Sequence, residues 1–197
     1  VLPCGKVLVA GGYRSGAGVL KTAELWDPAT GAWSDLPPMA HGRFGAGCCV
    51  LPSGRVAVVG GKGSDEQASR RRDGEAFDPE AQTWQPLPPM EHARLGHGEV
   101  AVAGGMLAVG GNTTAPDELF DEASGRWFEL PHPMVEYRTK QCKVVSLPAA
   151  ALAPPAAHGQ ESRSAPQGRG AVARGQPGAL GAGGPGRRAC RVGRRKA

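Results

Sequence analysis

Three arginines stand at matching places in this chain. Arg43, Arg94 and Arg138 each follow a Pro-Met pair, Pro38-Met39, Pro89-Met90 and Pro133-Met134, by four residues. A guanidinium presents N–H donors in a rigid planar fork that suits a carboxylate or phosphate. Other titratable groups recur with them: Asp27, Asp78 and Asp121, and His41 and His92, each two residues beyond its methionine. The five histidines, His41, His92, His97, His132 and His158, share no metal-ligand spacing. A catalytic acid–base pair would not need a copy in every unit. No catalytic residue, metal ligand or cofactor site is assigned, and the chain is expected not to be an enzyme.

These residues sit in a frame that passes three times through the first 140 positions. The copies read Gly11-Gly12, Glu24-Leu25-Trp26-Asp27, Trp33, Leu36; then Gly60-Gly61, Glu75-Ala76-Phe77-Asp78, Trp84, Leu87; then Gly110-Gly111, Glu118-Leu119-Phe120-Asp121, Trp127, Leu130. Asp to Trp is always six residues and Trp to Leu three, whereas the stretch from glycine pair to Glu varies in length, as a loop does. The glycine pairs recur 49 and 50 residues apart, the range of units that bury their faces against neighbours.

The unit reads as all-β. Each glycine pair follows a short apolar run, at 7–10, 56–59 and 106–109, too short for a helix and suited to a strand buried on both faces. Residues 45–51 and 96–102 would supply hairpin partners. Each Glu-x-aromatic-Asp begins a third strand, and the Asp opens a turn by accepting bonds from N–H groups further on. A fourth strand carries the Trp. The glycine pairs do not read as phosphate loops, since no Gly-Lys-Ser/Thr follows them. Four short antiparallel strands, radially repeated, make a β-propeller blade.

A glycine pair, an aromatic-Asp pair and a Trp six residues later resemble the kelch repeats. The resemblance covers residues 1–147, in units near 1–42, 43–93 and 94–137 with the start of another at 138–147, and it implies a kelch-type β-propeller. Trp26, Phe77 and Phe120 replace the family's Tyr before Asp. Three units do not close a ring, so the parent protein is expected to be longer, with this chain entering at the second strand of a blade. An extra residue at Pro131-His132-Pro133 is expected to bulge the third unit. The Trp residues are expected between blades, N–H on a backbone carbonyl.

The resemblance implies a protein-interaction module that presents inter-strand loops on one face to a partner protein or acidic peptide. By position it points to Arg43, Arg94 and Arg138 as a ring of donors, and to Tyr13, Arg14, Lys62 and Asn112, which directly follow the glycine pairs. The long loop at 62–74 would vary specificity or be a solvated insertion. Family roles include substrate receptor of a cullin-type ubiquitin ligase, reached through a BTB or F-box module absent from these 197 residues, and actin-binding or other scaffolds. The repeats also resemble the central domain of galactose oxidase, a secreted copper enzyme. Its copper is held by tyrosines and histidines. With Tyr13 and Tyr137 the only tyrosines and no His pair beside either, no copper ligand carries over.

Composition shifts near residue 149. From there to 197 the chain is Ala/Gly/Arg/Pro-rich, lacks aromatics, and carries nine Lys or Arg against one acid, so 148–197 is expected to be a disordered basic tail. The chain's +5 net charge therefore divides into +8 for the tail and −3 for the repeats. The tail could attract an anionic surface, but it is read as a solvated linker or translated GC-rich non-coding sequence, a gene bias that the absence of Ile also fits. Nucleic acid and membrane are not expected partners. Five cysteines, Cys4, Cys48, Cys49, Cys142 and Cys190, without Cys-x-x-Cys spacing favour reduced thiols. With no apolar run of transmembrane length and no visible signal peptide, a cytoplasmic location is expected. Asn112-Thr113-Thr114 matches the glycosylation pattern.

Overall fold

The computed structural model describes residues 1–63, 70–112, 114–131, 134, 136, 138, 142, 144 and 145. Among them lie thirteen strands and no helix. His132, Pro133, most of 138–147 and the tail at 148–197 lie outside the described residues, so the expected bulge and tail are not described further.

Two complete blades have the expected four-strand plan. In the second, β6 (Gly47–Val50), β7 (Val56–Val59), β8 (Gly74–Asp78) and β9 (Thr83–Leu87) pair antiparallel in chain order. The third repeats this with β10 (Gly98–Val102), β11 (Gly105–Val109), β12 (Glu118–Asp121) and β13 (Arg126–Glu129). In the first, β1 (Val7–Ala10), β4 (Ala23–Asp27) and β5 (Ala32–Leu36) form a three-stranded sheet. The loop after Gly11-Gly12 adds a feature the sequence reading lacks, a short ladder of β2 (Tyr13–Arg14) with β3 (Gly18–Val19).

The apolar runs behave according to their neighbours. All four residues of β7 are buried, and β11 is nearly so, because a sheet neighbour flanks each on both sides. β1 pairs only with β4, and Val9 is 48% exposed. The same chemistry thus gives a core strand or an edge according to what lies beside it.

Side chains between blades make the core. One cluster joins Leu51, Ala57, Val59, Ala76, Leu87, Met90, Met106, Ala108 and Phe120, uniting blades two and three; another joins Leu2, Leu25, Val56 and Phe77, uniting one and two. Burying a side chain such as Phe77 contributes roughly 1.5–3 kcal/mol. The recurrent indoles complete the joints as expected at two of three positions. Trp84 Nε1 donates to the Pro37 carbonyl at 2.7 Å and Trp127 Nε1 to that of Pro88 at 2.9 Å, each reaching the preceding blade's linker. Their rings lie 5.2 Å from Phe77 and Phe120, the aromatics before Asp. Trp33 differs, standing 55% exposed.

The recurring Asp residues form turns. Asp27 Oδ1 accepts from Ala29 N, Asp78 Oδ1 from Glu80 N and Ala81 N, and Asp121 Oδ2 from Ser124 N. The Asp27 carboxyl lies below its ordinary value through a hydrogen bond from Lys6 and then from Ala29, and Asp121 likewise through Ser124. The first glycine of each pair permits a close approach. A Cβ at Gly11, Gly60 or Gly110 would lie 2.5, 2.8 or 2.5 Å from the carbonyl oxygen of Arg43, Arg94 or Arg138. These contacts press the linker between blades onto the loop after the glycines.

Candidate partner-binding face

The linkers leaving β5 and β9 carry Arg43 and Arg94, and the chain after β13 carries Arg138. Each arginine's carbonyl accepts the N–H of the second glycine of its own blade: Gly12, Gly61 and Gly111, at 2.8, 2.8 and 2.7 Å. At Arg43 and Arg94 the backbone is thus tied to one blade while the side chain reaches into the next. Arg43, 1% exposed, donates from Nη1 to the carbonyls of Gly60 and Asp73 and from Nη2 to Asp73 Oδ2 at 2.8 Å and Glu75 Oε1 at 3.1 Å. Arg94, 0% exposed, donates to the Gly110 and Pro116 carbonyls and, through Nε and Nη2, to Glu118 Oε1 at 3.2 and 2.8 Å.

The glutamates also gather linker backbone. Glu75 accepts from Ala40 N at 2.7 Å and His41 N at 3.2 Å; Glu118 accepts from Glu91 N and His92 N at the same distances. The recurrence of His41 and His92 therefore belongs to linker geometry. Beside the first clamp, burial of Asp73 opposes ionisation, but Arg71 and Arg43 outweigh it and hold the carboxyl well below the usual range.

The structure therefore separates the sequence-expected residues. Arg43 and Arg94 do not present free forks: both guanidinium groups lie inside blade joints, where Arg43 meets Asp73 and Glu75 and Arg94 meets Glu118. Arg138 is exposed, and among the described residues its Nη1 meets Met134 Sδ at 3.7 Å and the Glu136 carbonyl at 3.5 Å. Asn112 is half-buried, donating to the Ala93 carbonyl and accepting from Thr114 N, so its amide holds a loop.

Tyr13 and Arg14 are exposed, on β2. Tyr13, 63% exposed, meets Phe44, 46% exposed, edge-to-face with centroids 6.1 Å apart. Phe44 exchanges both backbone bonds with Lys62, at 2.9 and 2.8 Å, and Lys62 bridges to the exposed Arg70. Two aromatic rings and three cations thus run along the loops of blades one and two. Phe44 was missing from the sequence reading. Its signal was available: it directly follows Arg43, the place Leu95 takes after Arg94.

Two further sites are polar but already occupied by the protein. A groove of about 1170 Å³ between blades one and two is lined by Pro37, Pro38, His41, Glu75, Trp84 and Pro86, and there Glu75 and the indole N–H face the joint. His97 Nε2 lies 3.3 Å from Glu99 Oε1 with both side chains inaccessible, while His97 Nδ1 and Glu99 Oε2 have no partner among the described residues. Burial raises the Glu99 carboxyl above its ordinary value, with His97 opposing. The Cys49 thiol is pushed up by burial and by Glu99. Among the described residues no three His, Cys, Asp or Glu side chains are placed to hold a metal, and no helix is long and apolar enough to cross a membrane.

Four-stranded antiparallel blades joined through half-buried tryptophans define an all-β repeat protein of the propeller-blade class. The Kelch motif family matches residues 1–40 and 42–91, and the chain carries kelch repeats there. It is similar to the F-box/kelch-repeat protein SKIP20 of Arabidopsis thaliana, 36% identical over 83 residues, 42% of this chain and 20% of the relative. It is similar also to the human Kelch-like protein 28, 33% identical over 112 residues (54% and 19%), and Kelch-like protein 23, 29% identical over 141 (72% and 24%). The chain spans about a fifth to a quarter of these relatives' length.

Proposed function

We propose that the chain is a protein-interaction module whose strip of Tyr13, Arg14, Phe44, Lys62 and Arg70 binds an acidic segment of a partner protein that also carries an apolar side chain. The observation carrying this reading is the exposed Tyr13–Phe44 pair, with Arg14 adjoining Tyr13 and Lys62 bridged to Phe44. Exposed aromatics cost free energy in water and supply rigid contact area, so they anchor interfaces. Arg14 and Lys62 would select carboxylates and speed encounter more than they add affinity. Arg138 lies on the linker set and extends the proposal to the third blade.

The kelch family and the F-box of relatives such as SKIP20 support a wider reading. In it the module captures substrate for a cullin-type ubiquitin ligase, engaged through a segment other than these repeats. A peptide library displayed on phage and selected on the immobilised chain tests the binding reading. Acidic peptides with an aromatic or aliphatic residue should be enriched, and Tyr13→Ala with Phe44→Ala should lower their affinity at least tenfold with the fold intact. Selected peptides that lack acidic residues, or bind the double variant equally, would refute it.

A further inference from the structure

The two internal joints are built alike, but an ion pair that spans the second is missing from the first. At the joint of blades two and three, His92 on the linker meets Glu129 of β13, Nε2 to Oε1 at 2.7 Å. At the joint of blades one and two, His41 holds the same linker place: its backbone N–H donates to Glu75 at 3.2 Å, as that of His92 does to Glu118. Pro86, paired with Glu75 as Glu129 is with Glu118, stands where the carboxylate would be. The His41 imidazole is exposed and has no hydrogen-bond or ion-pair partner among the described residues, whereas His92 is half-buried. Ala40 and Thr83 likewise stand where the next joint has Glu91 and Arg126. These three shorter side chains leave the groove of about 1170 Å³ open along β5 and β9.

The groove offers two kinds of contact. Its wall is apolar, from Leu36, Pro37, Trp84 and Pro86, and the Trp84 N–H is already committed to the Pro37 carbonyl. Its uncommitted polar group is the His41 imidazole. Asp73 and Glu75 also line it, but Arg43 and Arg71 hold their charges. The exposed Asp35 is offset by the exposed Lys21, which lines an adjoining hollow with His41 and Arg71. An imidazole N–H bonds most strongly to an anion, and the second joint shows a carboxylate seated at this place.

We propose that this groove is a second partner site, taking an extended segment whose carboxylate bonds His41 as Glu129 bonds His92 and whose adjacent apolar side chain lies against Trp84 and Pro86. It is separate from the Tyr13–Phe44 strip and does not depend on it. An aromatic and proline wall beside one oriented polar group is the composition that peptide grooves use.

The probe is an array of capped octapeptides in which Glu, Gln or Lys adjoins Leu in a Gly/Ser background, titrated with the full 197-residue chain and read by fluorescence anisotropy. Glu peptides should bind at least tenfold more tightly than their Gln and Lys versions. His41→Ala should weaken them at least tenfold, and so should Pro86→Glu, which supplies the carboxylate from within. Circular dichroism should stay unchanged in both variants, since both side chains are exposed and the His41 backbone bond to Glu75 is kept. His92→Ala, and Tyr13→Ala with Phe44→Ala, should leave affinity unchanged, which separates the groove from the strip. Absence of binding by every Glu peptide, equal binding of Gln peptides, preference for Lys, or indifference to His41→Ala and Pro86→Glu overturns the proposal. Binding lost only in the Tyr13–Phe44 double variant overturns it also and leaves the strip standing.

Discussion

Arg94→Ala is expected to act on stability before it acts on any partner. The substitution removes a guanidinium with no solvent exposure that bonds Glu118 twice and the carbonyls of Gly110 and Pro116. Glu118 is left at 0% exposure without its cation, and among the described residues the N–H groups of Glu91 and His92 remain as its donors. Breaking a buried ion pair from one side costs about 3–5 kcal/mol, because the remaining charge is uncompensated. That is a large share of a domain's typical 5–15 kcal/mol. Urea denaturation followed by tryptophan fluorescence measures it, since Trp127 reports on this joint. Arg138→Ala should change stability by no more than about 0.5 kcal/mol. Arg94→Met with Glu118→Leu should recover much of the loss, since apolar replacement of both partners leaves no orphaned charge. A cost for Arg94→Ala below about 1 kcal/mol would refute the clamp and return the arginine to the binding face.

Two other perturbations separate neighbouring effects. Trp84→Phe keeps most of the buried ring but deletes the 2.7 Å bond to the Pro37 carbonyl, and should cost about 1 kcal/mol in chemical denaturation, against almost nothing for Trp33→Phe; equal costs would contradict the assigned joint. Glu99 has a raised carboxyl, so the folded state keeps its proton to higher pH than the unfolded chain does. Wild-type stability from this group therefore falls as pH rises from the ordinary Glu value, about 4.3, through the folded value. Glu99→Gln does not titrate, and its thermal stability relative to wild type should rise with pH across that window; parallel curves would exclude a buried, titrating Glu99.

How much of this was legible beforehand depends on whether a residue acts within its own blade. Asp27, Asp78 and Asp121 act within three residues of themselves, and the turn reading follows from local chemistry. The glycine pairs and the apolar runs before them were equally readable. Trp84 and Trp127 reach the neighbouring blade, and their role was legible only because an indole needs both an apolar wall and one acceptor. The arginines were harder. A sequence shows that Arg43 recurs as Arg94, but not that Asp73 and Glu75, 30 and 32 residues downstream, are the anions it meets rather than a partner's carboxylate. The His97–Glu99 pair left no signal, because its two buried orphan atoms arise only where β6 and β10 pack together.

Recurrence itself carries the remaining distinction. A residue that must join one blade to the next is needed at every joint, so its type and place repeat, as Glu75 and Glu118, Arg43 and Arg94, and Trp84 and Trp127 do. A residue that meets a partner faces one molecule at one place and has no reason to repeat. Tyr13 follows the first glycine pair where Lys62 and Asn112 follow the others, and only Tyr13 has an aromatic neighbour across the linker. Burial agrees with this division: the repeating arginines are inaccessible at both internal joints, and the non-repeating tyrosine is the most exposed aromatic among the described residues. In a chain built from one unit, the departures from the repeat in the loops, such as Tyr13, are therefore where specificity is to be sought.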